Sequence, residues 1–229
     1  MFDITKVGAV LWDLDDTLYS RVEAAKKTFP GMFRQNLYTD RSDEFIAEAV
    51  DFMMRNVKRS SMVHDDAFAA LLQKYPSDKP YVKSDCENYY YRHISEFATP
   101  YPEQISVIKK LRTLGVKTAI VTNIREGRAV AQRNKISALG IEDLFDAIVI
   151  SGELGIHKPD RRIFDYAAGL LGVPNNRCVF VGDDPTADIG GALGADMEAV
   201  LIDLWEYNGE FDNNPRVSRV KSVLEYFAF

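Results

Sequence analysis

Four short apolar runs, each closed by a polar or glycine-containing turn and separated by helix-length segments, constrain this chain most. The runs cover residues 7–12, 116–121, 147–150 and 178–181, and they end in Asp13-Leu14-Asp15-Asp16-Thr17, Thr122-Asn123, Ser151-Gly152 and Gly182-Asp183-Asp184 respectively. Helical patterns at 103–114, 126–139 and 161–171 precede the last three in turn, each stopped by a glycine, Gly115, Gly140 or Gly172. Parallel strands need a long crossover, usually a helix, so this alternation predicts an α/β fold with a doubly wound parallel sheet and helices on both faces. A further strand at 198–202 and a closing helix at 218–226 complete the pattern.

One stretch breaks the rhythm. Residues 18–100 show no strand pattern, and four segments in it, 21–38, 43–58, 65–74 and 85–97, have helical character. Asp43, Asp65 and Asp85 are placed to act as helix N-caps, and Pro30-Gly31 should kink or divide the first helix. The reading is therefore a Rossmann-like core of residues 1–17 and 101–229 with an α-helical cap of residues 18–100. Since the insert leaves and rejoins the core beside the acidic turn, it should cover that sheet edge as a lid hinged near 19–21 and 99–102.

Composition narrows the class. With 229 residues, 46% of them hydrophobic, the chain can bury a full core. No run approaches a membrane span and the first residues lack the layout of a signal peptide, so a cytoplasmic protein without membrane contact is expected, as a monomer or homodimer. Cys86 and Cys178 form no metal-binding or disulfide pattern. A net charge of −6 with no basic block argues against binding a nucleic acid polymer. It does not argue against a small anionic substrate, because a bound cation and an aimed lysine set the local field.

Chemistry concentrates at the strand ends. Asp13 and Asp15, Thr122 and Asn123, Lys158 in the loop Gly155-Ile156-His157-Lys158-Pro159, and Asp183 with Asp184 and Asp188 all follow apolar runs. In a parallel sheet these points share one edge, where ligands bind. Carboxylates, an ammonium and a hydroxyl gathered there suit a hard cation and a phosphoryl group. Other residues carry less: Trp12 reads as core packing, Thr17 as a brace for the acidic turn, the adjacent Tyr89, Tyr90 and Tyr91 as packing, and His64 and His93 as solvated or capping histidines.

In these motifs the chain resembles the haloacid dehalogenase-like hydrolases, in the branch with a helical cap between the first two motifs. The matches are Asp13, Asp15 and Thr17 in Asp-x-Asp-x-Thr, Thr122 after the second strand, Lys158 before proline, and Gly182, Asp183 and Asp188 in Gly-Asp-x-x-x-x-Asp. The resemblance implies that Asp13 is a nucleophile forming an aspartyl-phosphate and that Asp15 is the general acid and base. It implies that Thr122 and Lys158 bind the phosphoryl group and that Mg²⁺ is held by Asp13, the Asp15 carbonyl and Asp183, with Asp188 beside them orienting water or Lys158. Asn123 could touch a phosphoryl oxygen or hold its turn, and Arg21 is the best single guess for a contact to the substrate's far end. The expected activity is Mg²⁺-dependent hydrolysis of small phosphomonoesters, nucleotide or sugar phosphates. A phosphomutase of the same fold and a non-catalytic binding protein are the alternatives. Asp15 argues against a dehalogenase, which lacks an acid there because carbon–halogen cleavage has no alkoxide to protonate.

Overall fold

The structure, a computed structural model, describes residues 3, 5–57, 62–204, 206–207, 209, 211 and 213–228. In chain order the elements are β1 (Ala9–Trp12), α1 (Arg21–Asn36), α2 (Asp43–Asn56), α3 (Asp65–Lys74), α4 (Lys83–His93), α5 (Pro102–Thr113) and β2 (Lys117–Thr122). There follow α6 (Ala129–Ala138), β3 (Ala147–Ile150), α7 (Ser151–Leu154), α8 (Arg161–Leu171), β4 (Cys178–Gly182), α9 (Gly191–Gly194), β5 (Glu198–Ile202) and β6 (Val217–Val220). They group into two compact units, Met1–Ser20 with Pro100–Phe229, and Arg21–Thr99. Leu18 and Tyr19 belong to the first unit, where the Tyr101 amide donates to the Leu18 carbonyl at 2.9 Å. Among the described residues no helix is long and apolar enough to cross a membrane.

The first unit is an α/β core around one parallel sheet of order β3-β2-β1-β4-β5-β6. Successive residues of β1 face opposite sides of the sheet. Ala9 and Leu11, with Ala119, Val121 and Phe180, pack on Ile163, Phe164, Ala167 and Leu171 of α8. The Phe164 and Phe180 rings meet edge to face at 5.1 Å. Trp12 is fully buried and stacks on Phe227 at 5.8 Å.

The expected closing helix is instead strand β6 followed by a turn of 3₁₀ helix, Val223–Glu225. The sequence Val217-Ser218-Arg219-Val220 is too short to bury a helical stripe, but it satisfies the open edge of β5, pairing Ala199 with Val217 and Ile202 with Val220. Ser222 then starts the 3₁₀ turn with a capping box to Glu225.

The second unit consists of α1 to α4 and a 3₁₀ turn, Ile94–Phe97. Two expectations change here. The caps are Ser42 for α2 and His64 for α3, each accepting a backbone N–H three residues on, while Asp43 and Asp65 open those helices. Asp85 lies within the first turn of α4, whose N-cap Val82 makes no side-chain bond. Asp43, Asp65 and Asp85 therefore serve the positive helix ends by charge. Pro30 and Gly31 sit inside one continuous α1. Phe29 stacks on Phe33 at 5.8 Å and meets Tyr90 at 6.1 Å, so packing carries the helix past the missing proline N–H. A Cβ at position 31 would overlap the Tyr89 hydroxyl, so glycine lets that side chain lie against α1. Lys58, the expected end of the second helix, lies outside the described residues.

Candidate active site

Strand order alone places most of the site. β1 lies between β2 and β4, so the residues that follow these three strands sit side by side. Trp12 pairs with Ile120 on one side and Val181 on the other, and the Asp13 amide extends the ladder by donating to the Val181 carbonyl at 2.9 Å. Asp13 follows β1, Thr122 ends β2 and Asp183 follows β4. Past Asp13 the chain turns sharply through buried Asp16, whose φ of 62° is a conformation that aspartate tolerates better than most side chains.

Lys158 enters from the loop before α8. Its ammonium donates to Asp13 Oδ1 at 2.6 Å and Asp188 Oδ1 at 2.7 Å, and it lies 5.1 Å from the centre of the Phe180 ring. The lysine backbone is fixed by Asn123, whose Nδ2 donates to the Lys158 carbonyl and whose Oδ1 accepts its N–H, both at 2.9 Å. Asp188 is braced in turn: its Oδ2 accepts the Asp184 amide at 3.0 Å. A Cβ at position 182 would fall on the Asp188 carboxylate, which explains why glycine precedes Asp183. Asp184 is occupied as an N-cap, accepting from Thr186 at 2.9 Å and Ala187 at 2.8 Å.

Asp13, Asp183 and Asp188 are all buried and each offers a carboxylate oxygen within 4.8 Å of the others. Burial raises the Asp13 carboxyl well above the usual carboxylate range, Lys158 opposes that shift, and Asp188, Asp183 and Asp15 add to it. Burial also disfavours the Lys158 ammonium, but Asp13 and Asp188 together hold its pKa above the ordinary lysine value. An all-oxygen donor set with excess negative charge in a dry site fits a hard divalent cation.

Asp15 has surroundings that its sequence neighbours do not announce. Its Oδ1 accepts from Lys135 Nζ at 2.5 Å and from the Tyr19 hydroxyl, and its Oδ2 accepts from Gln132 Nε2 at 2.9 Å. Gln132 Nε2 also donates to Thr122 Oγ1 at 2.6 Å. The motif reading missed Gln132 and Lys135. The signal for them is an inverted helix: α6 buries Gln132, Lys135 and Ile136 while its Val130 is 73% exposed. Of the remaining predicted residues, Thr17 is buried, but its hydroxyl has no hydrogen-bond partner among the described residues and does not brace the turn, and Arg21 opens α1 in the second unit.

Comparison with known proteins agrees with this geometry. The model of the haloacid dehalogenase-like hydrolase family matches residues 7–196. The chain is 37% identical to a glyceraldehyde 3-phosphate phosphatase of Methanopyrus kandleri over 92% of this chain and 88% of the relative. It is 31% identical to a ribulose-1,5-bisphosphate 5-phosphatase of Halopiger xanaduensis over 85% of this chain and 84% of the relative. Among solved structures, the hydrolase YfnB of Bacillus subtilis bound to magnesium superposes with a TM-score of 0.74 at 20% identity, covering 97% of both chains. With the family model spanning the whole run of motifs from the first apolar strand to beyond Asp188, the chain belongs to the haloacid dehalogenase-like hydrolases.

Proposed function

We propose that this phosphatase hydrolyses small carbohydrate phosphates, with trioses first among them, through an aspartyl-phosphate on Asp13 and with Mg²⁺ as its cation. The observation that carries the reading is the meeting of Asp13, Asp183 and Asp188 around Lys158, two residues from a second acid at Asp15. Four of the relatives, covered over 80–95% of their lengths, are named glyceraldehyde 3-phosphate phosphatases. The pyrimidine nucleotidase YjjG of Escherichia coli matches over only 45% of its length. This favours sugar over nucleotide phosphates.

In the proposed reaction an Asp13 oxygen attacks phosphorus and the ester P–O bond breaks, with Asp15 giving its proton to the departing alkoxide. Water then attacks the aspartyl-phosphate and yields its proton to Asp15, which frees Asp13 and inorganic phosphate. Lys158 offsets charge on Asp13 and the transferring group, and Thr122 offers its hydroxyl to a phosphoryl oxygen. Asp13, Asp183 and the Asp15 carbonyl would hold Mg²⁺, which supplies Lewis-acid charge neutralisation at the phosphoryl oxygens. Asp188, engaged by Lys158 and the Asp184 amide, serves as the brace of this group. Asn123 holds the lysine loop, leaving phosphoryl binding to Thr122 and Lys158.

Phosphate release from a panel of phosphorylated metabolites, with Mg²⁺, with Ca²⁺ and after chelation, tests the reading. Glyceraldehyde 3-phosphate should lead the panel, with little turnover in Ca²⁺, whose larger and more variable coordination misaligns the attack. Equal activity after exhaustive chelation would refute the cation. Nucleotides leading the panel would refute the substrate class, and isomerised phosphosugar without phosphate release would show a mutase.

A further inference from the structure

We propose that α6 is the positioning element for Asp15, with Lys135 and Gln132 setting the proton-carrying carboxylate and the Thr122 hydroxyl as a single unit. The inference rests on the reading of Asp15 as general acid and base. It goes beyond that reading by assigning residues outside the four motifs to the reaction.

The contacts are specific. Both Asp15 oxygens are held from α6, Oδ1 by Lys135 at 2.5 Å and Oδ2 by Gln132 at 2.9 Å. The same Gln132 nitrogen reaches Thr122 Oγ1 at 2.6 Å, so one amide spans the acid and the phosphoryl-binding hydroxyl. Tyr19 completes the arrangement, donating to Asp15 Oδ1 while its ring centre lies 5.4 Å from the Lys135 ammonium. A carboxylate held at both oxygens has a set direction in its ionised form, the form that takes the proton of the attacking water, and each turnover returns Asp15 to that direction through these two α6 side chains.

Stability gives no reason for this choice. Lys135 is only 3% exposed, and a buried ion pair is commonly no more stable than apolar side chains of the same volume. Gln132 leaves its Oε1 buried without a partner among the described residues, a further cost that an apolar residue would avoid. Meanwhile α6 turns Val130 to solvent. A helix that spends its buried face on an amide and an ammonium while exposing a valine is built around what those groups touch.

The test compares Lys135→Met and Gln132→Leu with Asp15→Asn and the unaltered enzyme. kcat/KM is measured on an alkyl ester, glycerol 3-phosphate, and on p-nitrophenyl phosphate, whose leaving group needs no proton. Lys135→Met should lose on the order of 10² on the alkyl ester and less than about threefold on the aryl ester, with the KM of the alkyl ester little changed, while Gln132→Leu, which also releases Thr122, should show the same preferential loss on the alkyl ester on top of a loss common to both esters. Lys135→Arg should recover part of the loss. Crystals of the variants grown without substrate or metal should show Asp15 in a different rotamer. Equal losses on both esters in Lys135→Met, or Asp15 unmoved in both variants, would overturn the proposal and leave α6 a purely structural element. If Asp15→Asn itself shows no difference between the esters, the general-acid reading falls and this proposal with it. A difference in Asp15→Asn that is absent from both α6 variants defeats only the positioning role.

Discussion

At the scale of single residues, the site is a problem in charge. Asp13, Asp15, Asp183 and Asp188 face Lys135 and Lys158, so four carboxylates meet two ammoniums, an excess that the proposed divalent cation would balance. Replacing Asp13 with the isosteric asparagine removes the proposed nucleophile and a buried carboxyl together. Asp13→Asn should therefore drop turnover below about 10⁻³ of the unaltered enzyme while shifting the thermal midpoint by no more than a few degrees. Phosphate release and differential scanning fluorimetry read the two effects, and retained activity would exclude the covalent route. Asp183→Asn should instead raise the Mg²⁺ concentration for half-maximal activity by about tenfold or more, measured by titration of the cation.

At the scale of elements, the sheet sets where residues stand and the loops after its strands set what they do. Asp203, directly after β5, shows how such a loop is secured. It is buried, and its carboxylate accepts from the Tyr207 amide at 2.8 Å, from Arg219 of β6 at 2.9 and 2.7 Å, and from Lys221 at 3.2 Å. Burial alone would raise its pKa, but these donors outweigh that effect and hold it at about 2, below the ordinary 3.8. A depressed carboxyl stabilises the fold above its unfolded pKa, and that contribution fades as pH falls from about 4 through about 2. Asp203→Asn should cost about 2 kcal/mol at neutral pH and flatten the acid limb of a stability-against-pH curve measured by urea unfolding. An unchanged acid limb would remove Asp203 as the anchor of β6.

At the scale of the whole molecule, the site proposed in the core unit would recognise only a cation and the phosphoryl group that all phosphomonoesters share. We therefore assign choice among substrates to the helical unit, Arg21–Thr99, as the cap expected from its position in the chain. Substitution of Arg21 to Ala should reorder a panel of sugar phosphates by about tenfold between best and next substrate while leaving p-nitrophenyl phosphate within about twofold. A uniform loss across the panel, or a reordering produced only by core substitutions, would refute this division.

Much of this protein was legible in its sequence. The apolar runs and their glycine-stopped helices specify a parallel sheet, since period and punctuation are local properties, and the order of the motifs carries the family. The acids, Thr122 and Lys158 could be named because they follow the apolar runs and match the family's motifs. What escaped were features decided by contacts far along the chain. Residues 217–220 became a strand only because β5 offered an open edge, and α1 runs through Pro30 because aromatic packing within its unit outweighs a lost backbone bond. Asn123 turned toward the lysine loop 35 positions later, and Lys135 met Asp15 across 120. Side-chain periodicity reports which face of a helix is apolar, but whether a polar face is solvated or spent on a buried partner depends on the element packed against it. The sequence by itself determined the first five strands of the sheet, the motif residues and the class of chemistry. Tertiary structure alone decided how those residues are held, because buried hydrogen bonds and ion pairs are chosen by proximity in space.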